Sequence, residues 1–477
     1  MSAGTLAILG GEPVRDRPFV VEPMVDGEEE RLVLEAMGEK SYSRYIGSAT
    51  PDIEQILGLT SDAATAIESH WHFLGGRQVR RFASEFAAGF GVEYAIPVNA
   101  ATSGLGVALA AVGAGPGDEV IVPAISFSAT ASAVLMFNSI PVFVDVDADS
   151  FCLDPAAVEA AITPRTKAIL IVHLAGNLAD MDAIRDIAAR RDLKIVEDAA
   201  QAIGATWGGA PAGTLGDAGV FSFQESKNIM TGEGGMIVTN DPDIARRARL
   251  IANHGEAVLD DHHQPDDLAN IVGFNFRMPE LCAAVGRAQL AKLDAVNLWR
   301  TRNADRLRAG LAGLPGITLP PSQRAGNTPA AEVPHMLIAL YDARAMGLDR
   351  ALFVAALGAE GVAAGTGYPR PLYGAPTYLR KIAYGRRGCP WTCNDSTVAY
   401  HRGQCPVAEG LLDERFLWFY HIAYSSTEAD MDDIARAVVK VVDHREALAR
   451  AAPRLQAALR PTDQGRLALA PAPLGND

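Results

Sequence analysis

Between Tyr94 and Thr239 the chain alternates short runs rich in Val and Ile with helical stretches, and this alternation narrows the fold more than any other feature. The runs Tyr94–Val98, Val120–Pro123, Pro141–Val146, Ala168–His173 and Leu193–Asp198 read as strands. Ser103–Val112, Ala129–Phe137, Pro155–Ile162 and Met181–Arg190, set between them, read as helices. Strands that are apolar throughout, rather than at alternate positions, are buried on both faces. Helices between them supply the crossovers that parallel strands need. The pattern predicts an α/β fold around a buried, mostly parallel sheet. In open sheets of this kind, ligands bind beyond the C-terminal ends of the strands.

Two such ends carry polar residues. Leu193–Val196 runs directly into Glu197-Asp198-Ala199-Ala200-Gln201. Further on, the strand Ala218–Phe223 meets a polar turn holding Lys227, then Gly232-Glu233-Gly234-Gly235 and a second strand, Met236–Thr239. Taken alone, Lys227 reads as a loop lysine near a tight turn, and Asp198 as a helix N-cap. Together they say more. A lysine among apolar neighbours has a lowered pKa and can form a Schiff base. Such a lysine with a carboxylate partner for a pyridinium nitrogen is the pair that pyridoxal 5'-phosphate (PLP) requires.

The ordered motif Phe221-Ser222-Phe223-x-x-x-Lys227…Gly232-Glu233-Gly234-Gly235, after Glu197-Asp198-Ala199-Ala200-Gln201-Ala202-x-Gly204-Ala205, resembles the DegT/DnrJ/EryC1/StrS family of PLP-dependent sugar and cyclitol aminotransferases. The likeness extends from about Leu6 to Asp443. It implies a fold-type-I PLP-dependent transferase: a large domain with a mostly parallel seven-stranded sheet plus a smaller α+β C-terminal domain. By this resemblance Lys227 is the lysine that holds PLP and moves the substrate proton, and Asp198 keeps the pyridine nitrogen protonated. Gln201 touches the ring's phenolic oxygen. Thr102 and Ser103, in the strand-to-helix turn Asn99–Leu105, and Ser222 contact the phosphate. Relatives carry Gly-Thr-Ala where this chain has Ala101-Thr102-Ser103. Phe127, within Ile125-Ser-Phe-Ser-Ala-Thr130, stands where relatives stack an aromatic on the ring. Asn275, within Gly273-Phe-Asn-Phe-Arg-Met278, matches an asparagine that reaches a neighbouring subunit's phosphate, which implies a homodimer. Arg277 beside it reads as a structural ion-pair partner, and His254-Gly255 as a helix C-cap near the substrate. His173 and Asn177 lie near the site with open roles, because Ala175 and Asn177 depart from the family pattern. Gln224 resembles the cyclitol and aminohydroxybenzoate branches, which points to a keto-cyclitol or keto-sugar acceptor. Glutamate or glutamine is the implied amino donor, with alanine as the further option. Other PLP chemistry on the same fold, sugar dehydration or aminobenzoate synthesis, and a PLP-binding regulator are the alternatives. The dehydratase lineage replaces the lysine with histidine, so Lys227 argues against it.

The expected layout is an N-terminal arm over residues 1–90, a large PLP-binding domain over 91–325, a small domain over 326–450 and a tail over 451–477. The arm carries an insertion at about 48–72, where the family pattern is shorter. A single long helix, Glu280 to about Leu311, should bridge the domains, with Pro315–Thr328 as the boundary. The tail, with Pro453, Pro461, Pro471 and Pro473, should fray. A net charge of −15 disfavours nucleic acid and anionic membranes as partners. No apolar run is long enough to span a bilayer. Five scattered cysteines suit a reducing cytoplasm. Cys389, Cys393, His401 and Cys405 match no strong zinc spacing, so no metal is expected.

Overall fold

The apolar runs of the middle region line up as one sheet in the computed structural model, which describes residues 5–20, 22–40, 42–43, 45, 74–255, 272–324, 329–461 and 467–469. Its strands are β1 (Tyr94–Val98), β2 (Glu119–Pro123), β3 (Ile140–Val144), β4 (Thr166–Val172) and β5 (Lys194–Asp198). After a short hairpin of β6 (Thr206–Trp207) and β7 (Ala210–Pro211) come β8 (Ala218–Ser222) and β9 (Gly235–Thr239). The seven-stranded order is β1-β9-β8-β5-β4-β2-β3. β2, β3, β4, β5 and β8 pair in parallel, and β9 runs antiparallel to both β8 and β1. The fold is therefore α/β with a mostly parallel sheet, as the apolar runs predict.

Helix starts follow from side chains that accept orphan backbone N–H groups. Asp154 caps Pro155–Ala161, Asp180 caps Met181–Arg191 and Asp241 caps Pro242–Ala252. Val120, Ile121, Ile169, Leu170, Val196 and Val220 are fully buried between the helical layers. Register then fixes where the strands end. Val172 lies opposite Asp198, Asp198 opposite Val220, and Ser222 opposite Gly235.

A second core forms around β10 (Ile317–Thr318), β12 (Leu337–Tyr341) and β13 (Phe416–Phe419), an antiparallel sheet. The short strand β11 (Ala330–Ala331) pairs instead with β6. Helices Arg350–Ala359 and Glu428–Asp443 bury Leu352, Phe353, Ile434, Val438 and Val441 against this second core. Leu6 and Ile8 belong to the same core. Arg15 Nη1 sits 2.7 Å from Asp430 and 2.9 Å from Asp433. Glu360, fully buried, accepts the Ala7 and Val14 N–H groups and pairs with Lys440 at 2.8 Å. The start of the chain is thus held by its C-terminal unit.

Three expectations change. The bridging helix is two helices, Glu280–Leu290 and Leu293–Leu311. The break falls where Lys292 places Nζ 2.7 Å from both oxygens of Glu29. The tail continues as a helix, Arg445–Ala458, through Pro453, and Leu459–Pro461 pairs with Leu467–Leu469. Burial of Leu448 and Leu455 in the second core offsets the hydrogen bond that proline removes. Cys389 and Cys393 are joined as a disulfide, leaving Cys152, Cys282 and Cys405 as the free cysteines. Their Cα atoms lie 5.4 Å apart in a loop, a closeness that a spacing of four did not reveal. The insertion at 48–72 lies outside the described residues.

Arg15→Ala should lower stability by about 3 kcal/mol, the lower end for breaking a buried ion pair, because Arg17 and Arg436 still face the two aspartates. A urea titration followed by tryptophan fluorescence measures it, and an unchanged midpoint would show that the pairing contributes nothing net.

Candidate active site

Strand alternation separates two acids that are adjacent in sequence. Glu197 points to one face of β5. There it accepts N–H groups from Gly213 (2.8 Å), Leu215 (2.6 Å) and Gly216 (2.6 Å), and its Oε2 meets His173 Nε2 at 2.9 Å. The Ala179 N–H donates to His173 Nδ1 at 3.3 Å, so the ring's hydrogen sits on Nε2 and is given to Glu197. This pair is fully buried and satisfied. It braces the ends of β4 and β5 from below.

Asp198, the last residue of β5, turns to the other face and is buried. Oδ2 accepts the Thr130 hydroxyl at 3.1 Å, and Oδ1 accepts the Ala200 N–H at 3.2 Å. Thr130 is itself bonded to Ser126 at 2.7 Å. Burial pushes the Asp198 carboxyl up despite these donors and the nearby Lys227 amine. Burial pushes Lys227 down, the Arg300 guanidinium adds to that fall, and Asp198 opposes it. Both shifts favour the uncharged forms. A buried carboxylate with two neutral donors fits a third, positively charged N–H, and a neutral amine is a nucleophile.

Lys227 rides a loop folded on itself between β8 and β9. Thr231 N donates to Phe223 O, Glu225 N to Gly232 O and Lys227 N to Gln224 O. At its root Ser222 is buried, and its Oγ accepts the Gln224 N–H at 3.3 Å. Gly235, opposite Ser222, lies so near the Ala101–Ala111 helix that a Cβ there would stand 2.7 Å from Ala101 N. Ser222 is thereby brought to the helix start that carries Thr102 and Ser103. Ser103 Oγ donates to Asn99 Oδ1 at 2.7 Å. The N-cap residue, Ala100, supplies no side-chain acceptor, so the first N–H groups remain available to an anion.

Gln201 Oε1 accepts the Ala175 N–H at 2.8 Å, and its Nε2 donates to the Tyr368 hydroxyl at 3.3 Å. Phe127 stands just before the Ala129–Met136 helix at 60% exposure, an uncovered ring at the rim rather than a core residue. Asn275 is not brought to the other residues. It is exposed, bridges Asn253 and bonds Arg277 Nε through Oδ1 at 2.9 Å. Arg277 therefore binds an amide, faces His254 Nε2 at 3.3 Å and lies over the Tyr45 ring, where a structural ion pair is the sequence expectation. His254 follows the Pro242–Ala252 helix with φ 63°, as a C-terminal cap does. Asn177 Nδ2 donates to Ser150 O, away from the site.

Sequence reasoning missed Thr130, Tyr368, Asn228, Asn297, Arg300 and His335. Asn228 could have been found, being next to Lys227. Nothing in the local pattern of the others says which strand end they meet. An amine pushed toward its neutral form, a buried carboxylate and a helix start can together hold a ligand that carries an aldehyde, a protonated ring nitrogen and a phosphate, and PLP carries all three.

Comparison with known proteins agrees with this chemistry. Residues 58–411 match the DegT/DnrJ/EryC1/StrS aminotransferase family. The L-glutamine:2-deoxy-scyllo-inosose aminotransferase of Streptoalloteichus tenebrarius is 37% identical, over 92% of this chain and 98% of that protein. The L-glutamine:scyllo-inosose aminotransferase of Streptomyces griseus is 40% identical over 78% of this chain and 87% of its own length. Among solved structures, DesI in the presence of its TDP-sugar product superposes with a TM-score of 0.75 at 28% identity, covering 94% of this chain and 99% of that one.

With its pKa lowered, Lys227 of the ligand-free protein should be acylated faster at pH 7 than surface lysines. The rate should fall only as the pH drops through that lowered value. Brief acetic anhydride labelling and peptide mapping would show it, and labelling of Lys227 no faster than of Lys167 would count against a neutral amine.

Proposed function

Because this chain belongs to the DegT/DnrJ/EryC1/StrS aminotransferase family, it is an aminotransferase, and we propose that it uses PLP to move the amino group of L-glutamine to the ketone of a cyclitol. The single observation that carries the mechanism is the pair of buried Asp198 and half-buried Lys227, shifted in opposite directions beyond the ends of neighbouring central strands. PLP, when bound, supplies an electron sink for the bonds at the donor's α-carbon. Asp198 would hold the proton on the ring nitrogen, which burial alone would strip of its charge. Gln201, fixed through Oε1 by Ala175, would turn its Nε2 toward the ring's phenolic oxygen. Thr102, Ser103, Ser222 and the free N–H groups of the Ala101–Ala111 helix would take the phosphate. Phe127 would cover one ring face.

Lys227 Nζ would take the proton from the α-carbon of the donor and, in the return half, deliver a proton to the acceptor carbon that comes to bear the new amino group. A neutral Nζ takes that proton; a charged one returns it. The lowered pKa makes the neutral form easier to reach than it is for an ordinary lysine.

The cyclitol acceptor is supported by the names of the two relatives, one matched over 98% of its length, and by Gln224 after Phe-Ser-Phe. The same names favour glutamine over glutamate or alanine. A homodimer is part of this reading. Asn275 is exposed beside Val272 (73%) and Phe274 (41%), apolar surface that a second copy would cover while Asn275 reaches the partner's phosphate. A cytoplasmic location belongs to the same proposal.

Adding L-glutamine to the PLP-loaded protein should replace its visible absorbance with that of pyridoxamine phosphate, and 2-deoxy-scyllo-inosose or scyllo-inosose should restore it. A spectrum indifferent to glutamine, glutamate and alanine would overturn the reading. Lys227→Ala should cost about 10³-fold in turnover. Sedimentation should give twice the 50.5 kDa chain mass.

A further inference from the structure

Behind Lys227 runs a buried hydrogen-bonded circuit, of which the roles above use only the Ala175–Gln201 link. It is anchored at Ile203, whose carbonyl accepts from Asn297 Nδ2 at 2.9 Å. A carbonyl can only accept, so the Asn297 amide is oriented and its Oδ1 must take the Nδ2–H of Asn228, also at 2.9 Å. Asn228 Oδ1 is then left as the acceptor facing His335 Nδ1 at 3.2 Å. The tautomer follows: Nδ1 carries the hydrogen. The His335 backbone N–H donates to Ala175 O at 2.9 Å, and the Ala175 N–H donates to Gln201 Oε1 at 2.8 Å. Gln201 lies two residues before Ile203, so the circuit closes.

Every member of this circuit is tightly held. Asn228, Asn297 and His335 are buried, and Arg300, also buried, donates Nη1 to His335 O at 2.9 Å. Ala175 keeps φ at 60°, a conformation that costs a non-glycine residue energy and persists only where its surroundings demand it. Gly204, with φ 89°, passes so close that a Cβ would stand 2.3 Å from Asn297 Nδ2. The circuit joins five separate segments: the turn after β4, the β5 exit, the lysine loop, the Leu293–Leu311 helix and the entry to β12. Burial, with Lys227 and Arg300 nearby, holds the His335 imidazole well below its ordinary pKa, so it is neutral.

We propose that His335 is a positioning residue for Lys227, acting through Asn228: its Nδ1–H, presented from the entry to β12, fixes the lysine loop and with it the direction of the amine. Asn228 is bonded on both sides, so the backbone at Lys227 cannot swing without breaking a buried hydrogen bond. This rests on Lys227 being the residue that takes up PLP.

The test compares two variants by two readouts. His335→Asn places an amide N–H near the position of Nδ1, while His335→Leu fills the space and removes the donor. One readout is the rate at which the ligand-free protein captures PLP, followed by visible absorbance. The other is hydrogen exchange of residues 224–231 without PLP. His335→Leu should capture PLP about tenfold more slowly and exchange faster in that segment, and His335→Asn should recover most of both. A role in packing alone predicts the reverse order, since leucine replaces the lost volume better, and that order would overturn the proposal. Exchange and capture unchanged in His335→Leu would overturn it as well. If His335→Leu does not fold, Asn297→Ala decides, because it frees Asn228 from the other side: faster exchange at 224–231 supports the circuit, and wild-type exchange removes it. Failure of the wild type itself to capture PLP would instead count against the functional reading, while the exchange data would still judge the circuit.

Discussion

The structure depends on what happens when a carboxyl and an amine are both taken out of water at the edge of one sheet. Among the described residues Asp198 accepts hydrogen bonds from the Ala200 N–H and the Thr130 hydroxyl, which with the nearby Lys227 amine do not offset its burial, and Lys227 has Asp198 opposing a fall that Arg300 deepens. An isolated buried charge is expensive, and groups in that position neutralise instead. Here the expense is the function. A site that leaves an amine neutral and an acid short of a charged donor is poised for a ligand that supplies both an electrophile and a protonated nitrogen. Much of the surrounding architecture serves to keep those two groups in place: the parallel register that ends β5 at Asp198, and the close approach at Gly235 that sets β9 against a helix start.

The seven sheet strands were readable from sequence because burial on both faces demands uninterrupted Val and Ile, which is a local signal. The lysine and its acid were readable for a similar reason, since each lies within a few residues of a strand end. The break at Lys292 was not, since the partner Lys292 meets there, Glu29, lies 263 residues away in the chain. Thr130, Tyr368 and His335 were hidden in the same way. A threonine in a helix, a tyrosine in a loop and a histidine before a strand carry no local mark of the side chain they will meet. Phe127 shows the opposite failure. Its apolar character alone suggests a core residue, yet it stands open at the rim.

The two acids of Glu197-Asp198 show how a strand divides labour between neighbours. Their side chains point to opposite faces, so one can be saturated while the other is left wanting. Glu197 takes three backbone N–H groups and the His173 N–H, and needs nothing more. Asp198 is left with two neutral donors. An identical functional group becomes scaffold on one face and reagent on the other, by partner count alone.

The ties between residues 7–15 and residues 360–433 carry a consequence for how the protein comes into being. Ala7 and Val14 bond Glu360 across 353 and 346 positions, and Arg15 bonds Asp430 and Asp433 across 415 and 418. During synthesis the central sheet, whose strands lie between residues 94 and 239, is complete while these partners have yet to leave the ribosome. Leu6 and Ile8 must therefore wait, uncovered, through most of translation. Leu6 and Ile8 join a core drawn mainly from residues 304–455, so their docking is a non-local event with a large loop to close. The partners of Leu6, Ile8 and Arg15 are thus made well after the strands of the catalytic sheet.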